Sequence, residues 1–133
     1  MPVPTFQAGY RLVSGDDLNN GFSTFAGGSG YSQANNLIAH AGGGQASATP
    51  VTAALNRFTT VATAGDSVAL PLATGGQSIT VINAGAASMQ VFASAAGADT
   101  INGAAGATGI ALASGKTMEF VSFPGAWHGL LSA

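Results

Sequence analysis

The residues able to do chemistry are few and scattered. His40 and His128 are the two histidines, and five acidic side chains share the chain with them. A zinc site needs three or four ligands at recognisable spacing, and with no cysteine and two distant histidines no such set forms. The same lack of cysteine excludes disulfides, thiolate metal sites and a cysteine nucleophile. Asp16 and Asp17 are adjacent, but calcium wants six or more oxygens and no EF-hand spacing follows them. Ser14 three places before Asp17 instead reads as a capping box. Asp66 and Asp99 each precede an apolar run, where a carboxylate accepts backbone N–H groups at a turn. A glycosidase needs two carboxylates across a cleft, one of them with a raised pKa, and no acidic residue here lies in an apolar run that would raise it. Ser14, Ser67 and Ser122 lack a G-x-S-x-G elbow. Gly27-Gly28-Ser29-Gly30 lacks the Lys-Ser/Thr of a phosphate loop. The chain is expected to be no enzyme and to hold no cofactor or metal.

The basic residues are Arg11, Arg57 and Lys116. Three cations are too few to neutralise a run of phosphates or to dock on an anionic bilayer, so neither nucleic acid nor membrane is an expected partner. Met1-Pro2-Val3-Pro4 lacks the basic start and apolar core of a signal peptide, and no run is long enough to span a bilayer. A lone Arg in an assembly often pairs with a carboxylate of the next subunit, and Arg57 is the best placed for that role. With a formal net charge of −2 and a surface of Ala, Gly, Ser and Thr, the chain has thin protection against self-association. Copies of itself or a larger assembly are expected to cover much of it.

The elements that must carry these residues read as strands. Val68, Leu70 and Leu72 alternate with Ala69 and Pro71, Ile79 and Val81 with Thr80 and Ile82, Met89 and Val91 with Gln90 and Phe92. A period of two sends successive side chains to opposite faces. The segments 73–76 and 83–87 are rich in Gly, Ala and Asn and read as turns, which makes 66–93 an antiparallel meander. Further strands are expected over 56–61, 108–112, 117–123 and 126–131, with Met118 and Phe120 on one face and Thr117, Glu119 and Val121 on the other. Residues 50–55 permit a short helical turn after Pro50. Local echoes, such as 64–70 with 113–120, read as recurrent hairpin chemistry. The expected fold is all-β: a small antiparallel sandwich or jelly-roll-like barrel with an extended N-terminal arm and Gly-rich loops. Residues 1–50 form the arm and a Gly-rich attachment and oligomerisation segment, and 51–133 the antiparallel body.

From Thr59 onward the chain carries TTVATAGDSV, then Leu70-Pro71, SITVINAG at 78–85, Val91-Phe92, DTING at 99–103 and GAWH at 125–128. This series resembles a module of structural proteins in tailed bacteriophages, found in head decoration proteins and in head or tail fibres. GYRLVSGDDLNN at 9–20 resembles the opening of such virion proteins. The resemblance implies a β-rich homotrimer attached to a virion. The expected function is a capsid decoration (cement) protein on the outer surface of the phage head, partnered by itself and by the major capsid protein. The alternative is a fibre or collar module that binds a host-surface glycan. Candidate intersubunit or capsid contacts are Phe6, Tyr10, Arg11, Phe22, Phe25, Tyr31, His40 and Arg57. Trp127 is expected as a core plug. Aromatic exposure separates the two functions, since a glycan-binding tip presents one or two rings in a polar groove and a cement protein buries them.

Overall fold

A computed structural model describes residues 31–132. Eleven strands run through them: β1 Gln33–Ile38, β2 Thr49–Pro50, β3 Leu55–Thr60, β4 Asp66–Ala69, β5 Ser78–Asn83, β6 Met89–Phe92, β7 Thr100–Ile101, β8 Ala104–Ala105, β9 Ile110–Leu112, β10 Thr117–Phe123 and β11 Ala126–Leu131. Alternation sets the inward faces. Asn56 and Phe58 of β3, Ile79, Val81 and Asn83 of β5, and Met118, Phe120 and Ser122 of β10 are buried, while their neighbours face outward. Residues 50–55 form no helix; Pro50 belongs to β2 and Leu55 opens β3.

The strands do not pair in chain order. From β1 to β6 they alternate between a seven-stranded sheet, ordered β1-β3-β5-β10-β11-β7-β8, and a four-stranded sheet, ordered β2-β4-β6-β9. Within each sheet the pairs β1/β3, β3/β5, β2/β4 and β4/β6 are parallel. Each circuit through both sheets is thus one coil, and three coils stack. Gln33 pairs with Leu55 and Leu55 with Thr80, so a coil takes about 22 to 25 residues, within the range typical of solenoid repeats. The chain then reverses, and β9 and β10 run antiparallel to β6 and β5 across the end of the stack. β11 and the short pair β7 and β8 widen the larger sheet.

This is a β-solenoid, and it corrects the expected antiparallel sandwich or jelly-roll barrel. The supposed meander over 66–93 is corrected with it: β4, β5 and β6 are consecutive, yet β5 lies in the other sheet from its two neighbours. The reason is geometric. A five-residue segment such as 83–87 is long enough to turn a corner between two sheets as well as to close a hairpin, and alternation reports which face is buried but not which way the neighbour runs.

Apolar side chains from both sheets fill the space between them, with Phe58, Val81, Phe120 and Trp127 from the larger sheet meeting Val68, Met89, Val91 and Leu112 from the smaller. Corners are held by backbone bonds from one coil to the next, such as Ala39 N–H to the Thr60 carbonyl (3.0 Å) and Ala87 N–H to the Val61 carbonyl (3.0 Å). Gly85 sits where coils touch: a Cβ there would lie 2.6 Å from the Val61 backbone nitrogen, so a side chain has no room.

Buried polar groups stitch the same corners. Asn83 donates to the Ala87 and Leu112 carbonyls at 2.9 and 2.8 Å and accepts from Gly85 N–H at 3.0 Å. Asn56 donates to the Ala53 carbonyl at 2.7 Å. Asp66 is buried and accepts from the N–H groups of Ala62 and Thr63 and from the Thr63 hydroxyl, at 2.9 to 3.0 Å. These bonds, led by the Thr63 N–H, lower its pKa below the ordinary carboxylate value of 3.8 despite the opposing effect of burial. A carboxylate with a depressed folded pKa stabilises the fold above its unfolded pKa, and that contribution is lost as pH falls through the lower, folded value. Urea unfolding followed from neutral pH down through the carboxylate range should show this loss, and Asp66→Asn should flatten the acid limb.

Candidate functional site

The outer face of the larger sheet is built by the residues whose neighbours fill the core. Because Met118, Phe120 and Ser122 point inward, β10 must present Thr117, Glu119, Val121 and Phe123 to the outside. Trp127 points inward from β11, so His128 and Leu130 point out. Register aligns these side chains into rows. Leu55 stands beside Thr80, Thr80 beside Glu119, and Glu119 beside Leu130. A second row runs from Ser78 through Val121 to His128, and a third from Arg57 through Ile82 to Thr117.

The face is apolar for a surface. Leu130 is 73% exposed, Phe123 65% and Val121 44%, while the core behind them is complete. The Phe123 ring meets the His128 imidazole edge to face, with centroids 5.9 Å apart. Glu119 lies between two shallow depressions. One of about 310 Å³ is lined by Thr80, Thr117, Leu130, Leu131 and Ser132, and one of about 150 Å³ by Tyr31, Ala54, Leu55, Ser78 and Thr80. The Ser78 hydroxyl donates to the Glu119 carboxylate at 3.4 Å. A further depression of about 400 Å³ lies where β2 runs into β3 and is lined by Val51, Thr52, Pro71, Gln77 and Ile79 among others, with no titratable group.

No arrangement for bond chemistry appears among the described residues. No three His, Cys, Asp or Glu side chains converge there as metal ligands would. Asp66 and Asp99 serve loops, the latter accepting from Ala73 N–H at 2.8 Å. The Ser122 hydroxyl accepts from the N–H groups of Gly75 and Gln77 and donates to the Gln77 side chain. Ser67 is buried with its hydroxyl unbonded. Among the described residues, the outer face offers hydrophobic area, the Glu119 carboxylate, the Arg57 guanidinium and several hydroxyls.

Of the residues singled out from the sequence, Tyr31 and Arg57 fall at this face. Tyr31 is 87% exposed and borders the smaller depression, and Arg57 projects from β3 with Nη1 donating to the Asn35 side chain at 3.2 Å. His40 does not join them. It sits on the corner after β1, where its backbone pairs with Ser67 of β4 in the smaller sheet. Phe6, Tyr10, Arg11, Phe22 and Phe25 lie outside the described residues. Sequence reasoning passed over Glu119, Val121, Phe123 and Leu130 as contacts. The available signal was Val121 and Phe123 sharing the parity of Glu119, which puts apolar side chains on the water side of a strand whose other face is already apolar.

No family model, no curated protein and no solved structure matches this chain.

Proposed function

We propose that this chain is a structural virion protein: a homotrimer on the outer surface of a tailed-phage head that stabilises the shell by binding between capsomers. The observation that carries the reading is the outer face of the larger sheet, where Leu55, Val121, Phe123 and Leu130 lie open on a chain with eight charged residues in all. Area of this kind is stabilised when a second surface covers it, at roughly 25 cal/mol per Å² of apolar area buried. Resemblance of the segment from Thr59 onward to phage structural modules supports the virion setting and the three-fold assembly. Adhesion by shape needs no reacting group, which agrees with Asp66 and Asp99 serving loops. Phage heads lacking the protein, mixed with it and pelleted, should take it up to a fixed saturating ratio. Failure to pellet with heads at any concentration would sink the decoration role.

One observation favours the second reading, a fibre or collar module for a host-surface glycan. Tyr31 is open to solvent beside Ser78, Thr80 and Glu119, a ring with polar neighbours as sugar stacking requires. Trp127, in contrast, is fully buried and offers no platform. Under this reading Tyr31→Ala abolishes binding to host-surface glycans and leaves uptake by heads unaffected.

A further inference from the structure

We propose that the occupant of the outer face is a second copy of this chain, and that Arg57 of each protomer pairs with Glu119 of the next. The inference rests on the self-association proposed above and names the contact that gives it direction. Both charges project from the same face, on β3 and β10, with β5 between them. Leu55 and Glu119 share a row, and Arg57 lies two residues further along β3, which separates the two backbones by about 12 Å. Within one chain they do not meet. Among the described residues, Arg57 turns toward β1 and bonds Asn35, while the polar partner of Glu119 is the neutral Ser78 hydroxyl.

A face that carries opposite charges on its two sides is complementary to a rotated copy of itself. The β3 side of one protomer, with Arg57, faces the β10 side of the next, with Glu119, and a closed ring repeats that contact identically. Leu55, Val121 and Leu130 lie in the rows around the pair and would exclude water from it, which is the setting in which a charge pair selects register and partner. A guanidinium fits this role better than an ammonium because its fork matches a carboxylate in two bonds.

Charge exchange provides the test, with light-scattering mass of the intact chain as the readout. Arg57→Glu and Glu119→Arg should each weaken association roughly thirtyfold or more by setting like charges together. The double exchange should restore the wild-type mass. Both positions are exposed, so an unchanged far-UV circular dichroism spectrum in the absence of urea confirms that each variant is folded. An associated wild type whose single variants associate equally well, or whose double variant is not rescued, would overturn the pair and leave self-association standing. A monomeric wild type would overturn both.

Discussion

Trp127→Ala is expected to remove a large part of the stability of the fold. The indole is fully buried between the sheets, and its N–H donates to the Pro71 carbonyl at 3.1 Å. It stands on β11 opposite Ser122 of β10 and Ile101 of β7, so the cavity opens where the closing strands join the solenoid. Truncating a buried tryptophan costs about 3 to 5 kcal/mol, and the orphaned carbonyl adds about 1 kcal/mol. A domain of this size holds about 5 to 15 kcal/mol in total, so the loss is a large fraction of it and the unfolding midpoint should fall steeply. The change removes the sole tryptophan, so far-UV circular dichroism in urea is the appropriate measurement. Trp127→Phe, which keeps most of the volume, should lose much less. A midpoint for the alanine variant close to wild type would contradict the placement of this ring.

Asn83→Leu should be nearly as damaging although the side chain is the same size and more apolar. The amide bonds two carbonyls and one N–H, and all three lose their partner at a buried corner. Each unsatisfied group costs about 1 to 3 kcal/mol, so a loss of at least about 3 kcal/mol is expected. The position matters because its backbone also bonds Lys116 and Gly115, tying the third coil to the reversing strand. In an antiparallel hairpin at 83–87 the Asn side chain would stand at an exposed turn, and the same substitution would cost little. Urea unfolding of Asn83→Leu therefore reports on the solenoid directly.

The contrast between these two residues marks what could be read in advance. Trp127 is expected as a core plug, and the split of β10 into Met118 and Phe120 within and Glu119 and Val121 without follows from period-two patterning, because burial acts on each strand separately. The direction of the neighbouring strand leaves no such local mark. Coil-to-coil spacing here drifts, with Gln33 opposite Leu55 but Leu55 opposite Thr80, and the paired positions differ in type, as Phe58 beside Asn83 does. No clean repeat is left in the letters, and Asn83 accordingly reads as a turn residue. It is a buried strap.

The site was partly legible for the same reason. Arg57 and Tyr31 stand out because such residues are scarce in this chain. Val121, Phe123 and Leu130 do not, since an apolar residue in a strand is ordinarily assigned to a core. Only strand parity and register, which put Leu130 beside Glu119 and all three opposite a core already filled by Met118, Phe120 and Trp127, make them a surface.

The proposal that further copies cover the outer face is tested most directly by mass in solution. Light scattering on the intact protein, over a wide range of concentration, should give three times the 12.9 kDa of one chain. A mass of one chain at every concentration would contradict it, and the exposed leucines and phenylalanine of the larger sheet would then need another partner.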